Sequence, residues 1–358
     1  METTAVDNRV AIGRARQVNR GWSRYGIALL ALILTSAVGV AVGKAALDPG
    51  TLLAILLSKL PFFHVTPWWP ASFETILLEV RLPRVLMGAL VGAGLSVAGA
   101  TYQGLFRNPL ADPYLVGVAA GAGLGAALAM VAPLPPGLYA LGAVQVAAFL
   151  SALITVGLVY SLARVGRTTP VTTLLLAGVA VGSLASAATS FVMFAQGDKI
   201  TVIYAWMLGG FNITGWQQVL LVAPYVAAAV IALSLLGGRA NVLQLDEDQA
   251  RSLGVNVEMA KLGLVLFATL ATAAAVSAAG LIGFVGLVVP HAVRMLWGPD
   301  HRSLVPLSAL VGGAFLVAAD TLARAIPGSQ DVPVGVITAF CGAPFFLYLL
   351  RQQKRSVF

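Results

Sequence analysis

The chain is built from long apolar runs separated by short polar turns, and these runs predict ten membrane-crossing helices. They lie near residues 25–46, 85–106, 115–132, 138–162, 172–194, 217–236, 260–279, 282–296, 303–324 and 333–350. A helix rises about 1.5 Å per residue, so the run from Val85 to Phe106 extends roughly 33 Å, against a hydrocarbon core of ~30 Å. It is bracketed by two basic turns, Arg81-Leu82-Pro83-Arg84 and Arg107-Asn108-Pro109-Leu110-Ala111-Asp112-Pro113. Small residues recur every fourth position at Gly88, Gly92, Ser96, Ala100 and Gly104. Such a stripe lets another helix approach closely. The third run repeats it with Gly117, Gly121, Gly125 and Ala129, and the fifth with Gly178, Gly182, Ser186 and Ser190. Three striped helices predict one closely packed bundle.

Two places depart from this pattern. Val202 to Leu208 is an apolar piece of seven residues ending at Gly209-Gly210, too short to cross a bilayer. The eighth run is short, preceded by Gly280 and interrupted by Gly283, Gly286 and Pro290. Broken helices sit at membrane depth only where they line a cavity or are buried in protein, so both places hint at a pathway. Ser183, Ser186, Thr189 and Ser190 either line such a pathway or pack against a neighbouring helix. Leu52 to Leu60 is also too short to span and is expected at the interface, where Trp68 and Trp69 fit an aromatic belt.

Composition removes the soluble alternatives. Of 358 residues, 59% are hydrophobic and 10% charged, whereas soluble domains carry about 25% charged residues. The fold class is therefore an all-α polytopic membrane protein, with about ten transmembrane helices and short broken ones. A basic leader, 1–24, precedes a single membrane domain, 25–350, and a short tail, 351–358. The leader and first run are longer than a secretory signal, so a retained first span is expected. An even number of spans puts both termini on one side. With that side cytoplasmic, sixteen of the 22 Lys and Arg residues fall inside and six outside: Lys44, Lys59, Arg81, Arg84, Lys199 and Arg324. The positive-inside rule supports this orientation, and basic flanks of this kind account for the net charge of +8 without nucleic acid.

Candidate chemistry is sparse. The single cysteine, Cys341, rules out internal disulfides. His64, His291 and His301 are far apart, so no metal site is expected. No phosphate-binding G-x-x-x-x-G-K-[ST] loop occurs, nor H-E-x-x-H, nor G-x-S-x-G, so no catalytic residue and no ATPase site are expected in this chain. Acids within the spans are scarce, Asp320 being the main one, which argues against an ion-driven carrier. The sustained polar stretch inside the chain is 241–261, with Asp246, Glu247, Asp248 and Arg251 ahead of an apolar tip, Leu253-Gly254-Val255. It reads either as a solvated loop or as two short helices offering Leu and Val to a partner's groove.

Four stretches, in order, resemble the permease subunits of type II ABC importers, the group for ferric siderophores, heme and cobalamin. They are Arg81-Leu82-Pro83-Arg84 running into Tyr102 to Pro113; Trp206-Met207-Leu208-Gly209-Gly210; Gly280 to Arg294; and Pro333 to Phe345. The resemblance implies a homodimer of two such chains in a bacterial or archaeal inner membrane. Two ATP-binding subunits, holding ATP and Mg, would dock inside, and a substrate-binding protein outside. It implies that 241–261 couples to the ATPase through Ala250, Leu253 and Gly254. It places Arg81, Arg84 and Arg324 as outward arginines that dock the binding protein, with a local Arg324–Asp320 pair as the alternative. Asn108, Leu110 and Thr172 match the cytoplasmic gate, with Gln103 and Arg107 beside it. The expected cargo is a metal chelate, most often a ferric siderophore in this family, with heme or cobalamin as alternatives.

Overall fold

The computed structural model describes residues 23–45, 47–62, 65–140, 142–211, 214–328 and 331–357. Most of the expected leader and His64 lie outside the described residues. Among those described, no strand forms beyond one isolated bridge between Val165 and Thr168. Fourteen helices are described, and all ten expected runs fall on helices. We number them α1 (Ser23–Ala41), α2 (Pro49–Ser58), α3 (Ala71–Leu105), α4 (Val118–Val131), α5 (Pro136–Ala140), α6 (Ala143–Ala163) and α7 (Val171–Ala195). There follow α8 (Ile200–Met207), α9 (Trp216–Val242), α10 (Glu247–Ser252), α11 (Val257–Ala279), α12 (Val285–Trp297), α13 (His301–Ala325) and α14 (Val334–Val357). Seven of them (α1, α3, α6, α7, α9, α11 and α13) are long and apolar enough to cross a membrane. The runs at α4 and α12 form shorter apolar helices, and in α14 the apolar part is the segment Val334–Tyr348.

Burial sorts these helices into layers. α3, α11 and α13 bury 78%, 67% and 72% of their most apolar windows, whereas α1 buries 17% and α7 22%. The first three form the centre, and large apolar side chains on α7 such as Leu176, Leu184, Phe191 and Phe194 remain exposed. α3 packs on α13, α11, α9 and α12, and α4 packs between α6 and α7.

The small-residue stripe explains the closest of these contacts. A Cβ on Gly92 would lie 2.2 Å from the Gly312 carbonyl oxygen of α13, and one on Gly312 would lie 2.0 Å from Ser96 Oγ. Off the stripe, a Cβ on Gly99 would lie 1.8 Å from the Gly286 carbonyl oxygen of α12. Backbones this close leave no room for any side chain, so α3 is held between two helices by hydrogen atoms alone at these points.

Two expectations are corrected. The Arg81-Leu82-Pro83-Arg84 segment is not a turn, because one helix runs through it from Ala71 to Leu105. A π-helical stretch, Ile76–Arg81, precedes Pro83. Its wider turn accommodates a ring that lacks an N–H and would crowd the carbonyl four residues back. Trp69 is buried, and only Trp68 is exposed. The short apolar run expected at the interface is α2. Asp48 caps it, with Oδ2 accepting from the Gly50 and Thr51 amides at 2.9 and 3.2 Å. α14 continues helical to Val357, so the expected tail begins as part of that helix.

Candidate functional site

Three regions of the bundle gather the residues singled out by the sequence. The first is the break between α11 and α12. α11 ends at Gly280, whose φ of +70° only glycine adopts freely, and α12 starts after Phe284, at φ +68°. For a bulky aromatic residue this conformation is strained and must be imposed by its surroundings. The short helix α8 ends against this break: the Gly210 amide donates to the Ala279 carbonyl at 2.8 Å. A Cβ on Gly280 would lie 2.2 Å from the Trp206 carbonyl oxygen. Gly335 of α14 faces the Leu208 carbonyl, and Gly342 lies against the Phe284 ring. Tyr114 closes the group, its hydroxyl donating to the Ile282 carbonyl at 2.9 Å and accepting from the Ile282 amide at 3.2 Å. The second, third and fourth stretches that carried the resemblance therefore meet at residues 280–284, and the first reaches the start of α12, where Gln103 donates to the Leu287 carbonyl at 3.1 Å.

Beside this break opens a cavity of about 640 Å³, lined by α4, α7, Met207 and Leu281. Ser183, Ser186, Thr189 and Ser190 all line it. Two of their hydroxyls are already spent on their own helix: Thr189 donates to the Ala185 carbonyl and Ser190 to the Ser186 carbonyl. The lining is mostly apolar, with Tyr114, Met193 and Met207 beside the small residues of α4 and α7. Asn108, Leu110 and Thr172 are not among its lining residues.

The second region is the end of the bundle marked by Arg107. α3 terminates in a Schellman arrangement, with the Asn108 amide donating to Gln103 O and the Arg107 amide to Gly104 O. The left-handed position usually given to glycine is filled by Arg107 at φ +49°, a cost of roughly 1–2 kcal/mol. The compensation is visible: its guanidinium donates to the Leu243 carbonyl at 3.0 Å and to the Leu245 carbonyl, tying α3 to the end of α9. Asn108 Oδ1 accepts from the Leu110 amide at 2.9 Å, which shapes the turn after α3. Asp112 follows, accepting from the Tyr114 amide at 2.8 Å. Burial pushes its carboxyl up to about 6, against the opposing pull of that hydrogen bond.

Helix α10 lies at this same end. It too stops in a Schellman arrangement, the Val255 amide donating to Ala250 O and the Gly254 amide to Arg251 O, with Gly254 at φ +77°. Ala250 is completely buried, Leu253 is 62% exposed and Gly254 is exposed. The surface presented outward is therefore Leu253 and Gly254, while Ala250 faces the core. Of the two short helices envisaged here, only α10 is separate, since α11 begins at Val257. Thr172 lies exposed in the first turn of α7.

The third region lies at the opposite end of α3, twenty-three residues or roughly 35 Å away. Arg81, Arg84 and Arg324 converge there, and all three are already engaged within the chain. Arg81 donates to the Val40 and Ala41 carbonyls, both at 2.9 Å, and to Ala45 O. Arg324 donates to Val42 O and Gly39 O at 2.6 and 2.9 Å, and to Asp320 Oδ2 at 2.9 Å. Arg84 grips Asp320 in a fork at 2.8 and 3.1 Å and reaches Asp331 at 2.9 Å. The expected Arg324–Asp320 pair is thus present, and the carbonyls at the end of α1 find their partners in arginines. Asp331, also bridged to Lys44 at 3.0 Å, is the member that sequence reading missed. Burial pushes its carboxyl up, but hydrogen bonds from Lys44 and Arg84 outweigh this and hold it below the ordinary carboxylate range.

Among the described residues, no group of three or more His, Cys, Asp or Glu side chains converges as a metal would require. Tyr114, Phe284 and the left-handed Arg107 were missed as structural keys, since no local pattern marks them.

Comparison with known proteins accords with this architecture. The profile of the FecCD transport family matches residues 29–352. The cobalamin import system permease protein BtuC of Halobacterium salinarum is 49% identical over 80% of this chain and 76% of its own length. The hemin transport system permease protein HmuU of Yersinia pestis is 42% identical over 78% of this chain and 84% of its own. A solved ABC transporter of the metal-chelate type, in an inward-facing conformation, superposes with a TM-score of 0.79 at 29% identity, covering 92% of this chain and 98% of that one. The fold and these likenesses define a multi-pass membrane permease subunit of an ABC importer. The chain belongs to the FecCD transport family.

Proposed function

We propose that two copies of this chain form the pathway by which a metal chelate, delivered by a substrate-binding protein outside, is released into the cytoplasm at the expense of ATP hydrolysed on two partner subunits. The observation that carries the proposal is the meeting of α8 with the break at 280–284, beside a cavity lined by Ser183, Ser186, Thr189 and Ser190. The chain itself does no covalent chemistry, and ATP and Mg are held by the partners. The Arg107 end is cytoplasmic, as are both termini, in accord with the positive-inside rule. The exposed apolar face of α7 receives the second copy.

In the proposed cycle, Leu253 and Gly254 insert into a cleft of the ATPase. Their movement reorients the pathway past the turn at Asn108 and Leu110 and the start of α7 at Thr172. Docking of the binding protein uses the Arg84 end, where carboxylates of the partner compete with Asp331 for Arg84. As to cargo, likeness to a cobalamin permease and a hemin permease favours a metal macrocycle over the ferric siderophore expected from the family at large.

The experiment is uptake into proteoliposomes containing this chain, its ATPase and its binding protein, with cobalamin, hemin and a ferric siderophore offered separately. ATP-dependent uptake of one chelate is expected, and Leu253→Glu with Gly254→Glu should abolish it. Undiminished uptake by that variant would refute the coupling role. Uptake without the ATPase subunits would favour an ion-coupled carrier instead.

A further inference from the structure

Lys261 is a lysine buried in a membrane protein, 4% exposed, and it touches three separate elements. We infer that Lys261 is a positioning residue for transport: its ammonium links α10 to the start of α7, so that displacement of α10 is passed to the helix that lines the cavity. Nζ donates to Glu247 Oε1 of α10 at 2.7 Å, to Glu258 Oε1 of its own helix at 3.3 Å, and to the Thr169 carbonyl at 3.0 Å. The Glu258 carboxylate returns to the same loop, Oε2 accepting from the Thr169 amide at 2.9 Å. Thr169 is buried and precedes α7 by two residues.

The chemistry suits a link more than simple glue. An ammonium has three donors, and all three are used here, one on each element. Both backbone groups of Thr169 are held, the carbonyl by Lys261 and the amide by Glu258, so the entry to α7 cannot shift without disturbing the network. Glu247 is shared, since its Oε2 also accepts from Arg251 Nη2 at 3.4 Å. It therefore connects the network to the end of α10 that presents Leu253. From Val171 to Ser183 is twelve residues of continuous helix, roughly 18 Å, which carries a displacement at Thr169 to the cavity wall.

This inference rests on the coupling role proposed for α10, and the test separates the two. In proteoliposomes holding the complete transporter, the ratio of ATP hydrolysed to chelate imported is measured for the unmodified chain, Lys261→Met, Lys261→Arg and Glu247→Gln. Lys261→Met is expected to raise the ratio by about fivefold or more, the lower end of the range for energetic coupling between sites, while hydrolysis continues. Lys261→Arg, which keeps charge and donors, should stay close to the unmodified ratio, and Glu247→Gln should raise it less than Lys261→Met. Proportional loss of hydrolysis and uptake, with the ratio unchanged, would overturn the inference and leave Lys261 a purely structural residue. Should Lys261→Met fail to fold, Glu247→Gln decides, and an unchanged ratio there overturns it equally. Leu253→Glu is run alongside: intact uptake in that variant defeats the coupling role of α10 itself, whatever Lys261 does.

Discussion

Asp320 is shared by two guanidinium groups, those of Arg84 and Arg324, at 2.8 and 2.9 Å, and is almost fully buried. Removing one member of a buried charged group leaves the others uncompensated, at a cost of about 3–5 kcal/mol. Asp320→Ala should therefore lower stability by that order in thermal unfolding in detergent. Asp331→Asn, on a more accessible carboxylate, should cost less than Asp320→Ala. Asp112 offers a test by pH. Its folded value, raised to about 6 from an ordinary 3.8, means that between those values the folded state holds a proton the unfolded state has released. Stability should fall as pH rises through this window and level off above it. Asp112→Asn keeps the acceptor for the Tyr114 amide and should flatten the slope, as read from unfolding in detergent across pH 4–7.

At the scale of elements, two glycines in similar helical settings should behave in opposite ways. Gly99 faces a carbonyl oxygen 1.8 Å from where its Cβ would stand, whereas Gly157 of α6 has nothing within 4 Å. Gly99→Ala must force α3 and α12 apart and should reduce the yield of folded protein. Gly157→Ala should be neutral or stabilising, by up to about 1 kcal/mol through helix propensity. Size-exclusion yield and thermal unfolding of the pair distinguish them. Sequence spacing marked Gly92 as a packing position but placed Gly99 on no stripe, because the four-residue period follows the α13 contact and α12 approaches from another side. The continuous helix through Arg81 and Arg84 was likewise hidden, since a proline between two arginines reads locally as a break and only the π-helical turn before it removes the clash.

For the whole molecule, the proposed docking end makes one further prediction. If carboxylates of a binding protein compete with Asp331 for Arg84, Asp331→Asn should tighten docking at low ionic strength, and the gain should shrink at high salt. Equal affinity at low salt, measured by surface binding, would refute the competition. Much of the architecture was legible in the sequence: the apolar runs, the small-residue stripes, the two broken helices and the four motifs. Hydrophobic length and glycine spacing are local properties, and the bilayer imposes span length on any sequence that enters it. The partners of the charges were not legible. Arg84 finds Asp320 across 236 positions of sequence, and the three outward-expected arginines turn inward because the carbonyls ending α1 and two aspartates lie within reach. Tyr114 and Lys261 likewise find partners on elements distant in the chain. By itself the sequence determined a ten-run membrane bundle with a family signature. Only the tertiary structure decided which residues close it, because buried polar groups must be satisfied in place and their partners come from helices distant in the chain.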